Sequence, residues 1–154
     1  MSHAIKKLTD SWVTRAPRLF TASDLLGLPN EDLVKLLRRV EAGLPVSVLD
    51  RFQTTSGLSG ARLAKLARIA PRTMARRRDE RRLSAEESDR LLRIARLFAA
   101  AANLFDGDVV AGTGWLSKPL EALGGAIPIE IAETEVGCHA VERVIQQLEH
   151  GVFP

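Results

Sequence analysis

The residues from Ser84 to Gly107 read as one long helix, and a helix of that length decides what the remainder of the chain can pack against. Ser84 and Glu87 form the S-x-x-E pattern of a capping box, in which the hydroxyl and the carboxylate each accept a backbone N–H at the helix start. Leu91, Ala95, Phe98, Ala102 and Phe105 then recur at alternating spacings of four and three, which puts them on one face, and Asp106-Gly107 stops the helix. An apolar stripe of that length has to be covered. Packing within one chain and a seam between two copies give the same pattern, so both stand open.

Nothing elsewhere argues for sheet. No segment alternates apolar and polar residues with period two, β-branched residues are sparse, and Leu, Ala, Arg and Glu predominate, so the fold class is all-α. Asn30 is placed to cap a helix running through Glu41, with Leu33, Val34, Leu36, Leu37 and Val40 on its apolar side and Gly43 past its end. Pro45 suits the first turn of the next helix, which carries Val46, Val48, Leu49 and Phe52 and stops before Ser56-Gly57. After Gly107, Pro119 and Pro128 forbid a long helix, so short ones divided at Gly124-Gly125 are expected, with Gly112-Thr113-Gly114 as a flexible connector. In the final stretch Val136, Ala140, Val141, Val144, Ile145 and Leu148 share a helical face ahead of Gly151 and a short apolar tail.

The charge is unevenly placed. Residues 59–96 carry 12 basic and 5 acidic groups, a balance of +7, whereas residues 97–154 carry 2 and 8, a balance of −6. Two surfaces with different partners are implied, the first a polyanion. A chain with 45% apolar residues can bury a core and is not disordered. It has no run of about 18 apolar residues to span a membrane, and its start lacks the apolar stretch of a secretory signal, so no membrane association and a cytoplasmic location are expected. The single cysteine, Cys138, excludes an internal disulfide and a multi-cysteine zinc site.

Within the basic segment, SGARLAKLARIAPRTMARRR has the form of a helix-turn-helix. Ser59 caps the first helix, Pro71 opens the second, and Leu63, Leu66, Ile69 and Met74 are spaced to pack the two together. In such a motif the start of the second helix enters the major groove, which makes Arg72, Thr73, Arg76 and Arg77 the candidates for base edges and nearby phosphates. Arg62, Lys65 and Arg78, followed by Arg81 and Arg82, suit phosphate contacts. Two residues depart from the usual pattern: Arg68 stands in the turn where glycine is common, and Ala70 where a Ser or Thr cap is usual.

The C-terminal third carries Trp115-Leu116, Pro119, Ala122-Leu123-Gly124-Gly125, Pro128, Thr134, Gly137 and then Glu149-His150-Gly151-Val152-Phe153. This arrangement resembles the toxin-binding domain of Xre/MbcA/ParS-type antitoxins from RES–Xre toxin–antitoxin systems. Upstream, Ala42-Gly43-Leu44-Pro45, Thr55-Ser56-Gly57-Leu58, Pro71-Arg72-Thr73, Ala75-Arg76-Arg77 and Arg82-Leu83-Ser84-Ala85-Glu86-Glu87-Ser88 resemble the helix-turn-helix region of the same antitoxins, so the likeness spans roughly residues 35–153. The resemblance implies a RES-domain toxin partner that consumes NAD or uses it for ADP-ribosylation, with its active site blocked by the antitoxin. It also implies homodimerisation, operator binding and autoregulation. On that basis residues 1–22 are an N-terminal tail, read as a flexible start, 23–106 a helix-turn-helix domain and 107–154 a toxin-binding domain. The toxin contacts are then expected at Glu142, Gln146, Glu149 and His150, with Val152 and Phe153 as apolar anchors. Trp115, Leu116, Leu120 and Leu123 read as core.

An enzyme is not indicated, and no cofactor or metal is expected. His3, His139 and His150 are scattered, and Cys138 and His139 diverge by about 100° on a helix, which is poor geometry for a nucleophile and its base. Gly112-Thr113-Gly114 lacks the Lys-Ser/Thr of a phosphate loop. The rival reading is a transcription regulator whose C-terminal domain senses a ligand or dimerises, without a toxin.

Overall fold

The computed structural model describes residues 18–152; residues 1–17, which make up most of the expected tail, and Phe153 and Pro154 lie outside the described residues. Among the described residues nine α-helices follow one another: α1 (Ala22–Leu26), α2 (Leu33–Ala42), α3 (Ser47–Ser56), α4 (Gly60–Leu66), α5 (Pro71–Glu80), α6 (Ala85–Asn103), α7 (Val109–Leu116), α8 (Pro128–Ile131) and α9 (Glu135–Glu149), with a 3₁₀ turn at Glu121–Leu123 before α8. No strand occurs among the described residues, which makes the fold all-α.

The long helix forms as its sequence requires. Ser84 and Glu87 close the capping box of α6 from both sides, and α1, α2, α7 and α9 all pack on it. Leu91, Ala95, Phe98 and Ala102 are essentially inaccessible. The stripe is therefore the core of one chain and not a seam between two. Phe105, past the end of the helix, is 38% exposed and does not join it. Phe98 meets Phe52 of α3 edge to face at 5.2 Å, an aromatic pair that favours this geometry beyond the area it buries.

The turn at Asp106-Gly107, both residues at positive φ, separates α6 from α7, and one apolar core runs across it. Gly112-Thr113-Gly114 is not a connector: all three residues lie inside α7. A Cβ on Gly112 would stand 2.7 Å from the amide nitrogen of Ala102, so glycine here lets the α7 backbone touch the alanine-rich face of α6. Sequence punctuation by glycine conceals a helix crossing.

Four further expectations shift. Asp32, not Asn30, caps α2 by accepting the amide of Lys35 at 3.0 Å. Of the apolar side of α2 only Val40 is buried and Leu36 half-buried, while Leu33, Val34 and Leu37 face solvent, because α2 meets α6 along one edge. Pro45 precedes α3 and pairs with Arg82 across the loop that leaves α5, where Leu83 donates to the Leu44 carbonyl at 2.9 Å. Gly43, at φ +89°, sits against the Leu83 carbonyl with no room for a side chain. In α9 the buried face is Gly137, Cys138, Val141, Val144 and Ile145, and Val136 is 81% exposed. The cause is the contact of Gly137 with the Ile131 carbonyl, which fixes the rotation of α9 and turns its neighbour outward.

Phe20 and Thr21, within the last residues of the expected tail, are both hydrogen-bonded. Phe20 donates its N–H to Asn103 and accepts from the Asn103 amide, each at 2.9 Å, and Thr21 caps α1. Gly112→Ala is expected to lower the melting temperature by several degrees, because overpacking at a rigid crossing costs roughly 1–3 kcal/mol. Gly114→Ala, in the same helix with nothing within 4 Å of its new methyl, should be neutral or stabilise through helix propensity. Equal effects of the two substitutions in thermal unfolding would refute the crossing as the reason for Gly112.

Candidate functional site

Helices α3, α4 and α5 form a three-helix unit in which α4 and α5 are joined by a tight turn. Ser59 caps α4 by accepting the amide of Arg62 at 3.2 Å, and Leu63, Leu66, Ala67 and Ile69 are buried beneath it, with Met74 partly buried. The turn needs one residue in the left-handed region, and Arg68 takes it at φ 55°. Arg90 of α6 supports the turn by donating to the Ala67 carbonyl at 2.9 Å. Ala70 stands at the N-cap of α5 and makes no side-chain cap, so the first-turn amides are left to outside acceptors. The helix-turn-helix pattern is present in three dimensions.

The basic residues divide into two groups that the sequence does not distinguish. Arg62, Arg68, Arg72 and Arg76 are exposed along α4, the turn and the front of α5, and Thr73 is half-buried beside them. Arg62 and Arg72 form no ion pair among the described residues, while Arg76 has only a long contact of 3.7 Å to Glu80. Arg77 behaves otherwise. Its side chain is 17% exposed, with Nε 2.8 Å from a Glu87 oxygen and Nη1 2.8 Å from Glu80. The Glu87 carboxylate that holds it is buried and also accepts the amide of Ser84. Burial pulls the Glu87 acid upward, but the hydrogen bonds from Arg77 and Ser84 outweigh this and hold it below the usual carboxylate range. The hydrogen bond to Glu87 likewise raises Arg77. Arg77 is thus an internal strut between α5 and α6 and not a residue aimed at a ligand. Arg78 is half-exposed and forks onto Asp50 of α3 at 3.0 and 3.4 Å, which also ties α5 down. Lys65 reaches Glu133, beyond the end of α8, at 3.3 Å.

The C-terminal third builds a second surface. Glu142, Gln146 and Glu149 follow one another up one face of α9 and, with Phe20, Arg96 and Asn103, line an open groove of about 340 Å³ between α9, α6 and the start of α1. His139 lies 3.1 Å from the Glu142 carboxylate. His150, at the C-cap, and Val152 are exposed beyond it, while Phe153 is outside the described residues. The residues of the W-L-x-x-P…G-G…P pattern are mostly structural: Leu116 and Pro128 are buried, Trp115 and Leu123 pack on the core, and Gly124 and Gly125 turn the chain at positive φ, while Leu120 is half-buried outside the core. Thr134 caps α9.

The surroundings of Cys138 do not activate its thiol. Burial pushes the Cys138 thiol up to about 11, with Glu142 adding to the effect. No group of three or more His, Cys, Asp or Glu that could hold a metal ion occurs among the described residues, and no helix among them is long and apolar enough to cross a membrane.

Residues 35–96 match the family model described as the antitoxin Xre-like helix-turn-helix domain, and residues 100–151 match the antitoxin Xre/MbcA/ParS C-terminal toxin-binding domain. The chain is 35% identical over 129 residues to an Antitoxin Xre of Yersinia enterocolitica, covering 83% of this chain and 87% of the relative. It is 30% identical over 128 residues to an Antitoxin Xre of Photorhabdus laumondii, covering 82% and 86%. A Sphingobium protein named Prs ADP-ribosylating antitoxin is 32% identical over 79 residues, covering 46% of this chain and 50% of that one.

The buried pair generates a pH prediction. A carboxylate held low in the folded state contributes stability that is complete above its unfolded value of about 4.3 and lost as pH falls through the lower folded value. Glu87→Gln should therefore melt earlier than wild type at pH 7, by the equivalent of about 1–3 kcal/mol for an unmatched partner. The two melting curves should converge as the pH falls below the usual carboxylate range and Glu87 takes up its proton. A difference that persists undiminished in acid would show that charge at Glu87 is not what holds Arg77.

Proposed function

The chain belongs to the Xre antitoxin family, and from that premise we propose that it neutralises a RES-domain toxin with its C-terminal groove and binds operator DNA with α4 and α5. The exposed arginines on the front of the helix-turn-helix carry the DNA half of this reading. Arg72 and Arg76 reach base edges and flanking phosphates from α5, Arg62 and Lys65 contact phosphate from α4, and Thr73 sits at the entry to the groove. Arg77 and Arg78 act indirectly, holding α5 at the angle that aims the others. Binding to its own operator in the cytoplasm as a homodimer gives autoregulation of the operon.

The toxin half rests on the family's C-terminal domain and on the acidic face of α9. A toxin that binds NAD needs a cationic pocket for an anionic dinucleotide, and Glu142 and Glu149 complement such a pocket in charge. Gln146 and His150 add hydrogen bonds, and the apolar end at Val152 and Phe153 supplies anchors that desolvate on docking. The words ADP-ribosylating in the name of the Sphingobium relative support a partner of the NAD-consuming or ADP-ribosylating kind.

Replacing Arg72 and Arg76 together with Ala is expected to weaken operator binding by 100-fold or more, taking roughly 1–3 kcal/mol for each good guanidinium contact. The slope of log affinity against log salt should fall by about one for each phosphate that is no longer neutralised. Mobility shift across a salt series reads both, and unchanged affinity would remove α5 from the interface.

Deleting residues 149–154, or reversing charge with Glu142→Lys and Glu149→Lys, should abolish growth rescue on co-expression with the toxin while operator binding persists. A truncated chain that still rescues growth would refute inhibition through the end of α9.

A further inference from the structure

We infer that α2 and the start of α6 form a self-complementary face on which a second copy of this chain docks; this deepens the homodimer reading above and rests on it. Leu33, Val34 and Leu37 are 69%, 57% and 49% exposed, three aliphatic side chains on one side of one helix with nothing among the described residues covering them. Next to this ridge runs an open groove of about 570 Å³ between α2 and α6, lined by Leu37, Val40, Glu41, Glu86, Asp89 and Arg93 among others. A two-fold interface requires one patch to complement itself. A ridge beside a groove does so, since each copy inserts the one into the other.

Charge selects a copy of this chain over other occupants. The groove lining carries Glu41, Glu86 and Asp89, none of which forms an ion pair among the described residues, against Arg93 and Arg90, the latter donating to the Ala67 carbonyl, so its balance is −1. The opposite flank of α2 carries Lys35 and Arg38: Lys35 makes only a long, exposed contact of 3.7 Å to Asp32, and Arg38 none among the described residues. A two-fold axis running along α2 lays the cationic flank of each copy over the acidic flank of the other.

Light scattering on the full chain tests this with three variants. Wild type should be a dimer at micromolar concentration. Leu37→Asp should weaken the dimer by at least about 30-fold, the effect of a central interface residue, with an unchanged far-UV spectrum because the residue is exposed in the monomer. Arg38→Glu should weaken self-association about tenfold, and mixing it with a Glu86→Lys/Asp89→Lys copy should restore a dimer that neither forms alone. A monomeric wild type overturns the homodimer reading itself. A Leu37→Asp chain that remains dimeric overturns this face alone, and one that remains dimeric but loses toxin neutralisation assigns the face to the toxin instead.

Discussion

The Glu87 carboxylate closes two structures at once. It completes the cap of α6 by accepting the amide of Ser84, and it holds Arg77, which stands in the middle of α5. Helix α5 has no buried residue of its own, so apolar packing does little to fix its rotation. Ionic struts replace packing: Arg77 to Glu87 and Glu80 on one side, Arg78 to Asp50 on the other. An isolated exposed pair contributes little, but the Arg77–Glu87 pair is largely desolvated and hydrogen-bonded, which is where such a contact is worth most. The direction in which Arg72 and Arg76 point follows from it.

The length of α6, its cap and its stripe were legible because capping and periodicity are local signals, and the helix-turn-helix was legible because Ser59, Pro71 and the packing leucines obey short-range rules. Which arginine does what was not legible. Arg76 and Arg77 are neighbours of the same type, and only the position of Glu87, ten residues beyond Arg77 and across a loop, turns one inward. In the same way Gly112 reads as a loop residue because glycine breaks helices in isolation, and the crossing with Ala102 that makes glycine necessary is a tertiary fact. A run of alanines in α6 from Ala99 to Ala102 was the one available hint, since a close helix crossing needs small residues on both sides.

The C-terminal pattern was legible in a different sense. Its tryptophan, prolines and paired glycines mark a chain path: Leu116 buried, Pro128 opening α8, Thr134 capping α9, Gly137 pressed on the Ile131 carbonyl. These residues set where α9 lies and which of its faces is outward. The groove residues Glu142, Gln146 and Glu149 have no sequence signature of their own, and they follow from that rotation.

The opposite charges of the middle and end of the chain do not become two independent modules, because one core passes through both and Lys65 reaches Glu133 at 3.3 Å. The lysine end of that pair is 72% exposed, so its contribution to stability is small. Its effect on the field is larger, because it sets a carboxylate of the C-terminal half beside the basic residues of α4. On the proposed DNA-binding reading, the potential that a phosphate backbone meets is then set by Glu133 as well as by the arginines of α5.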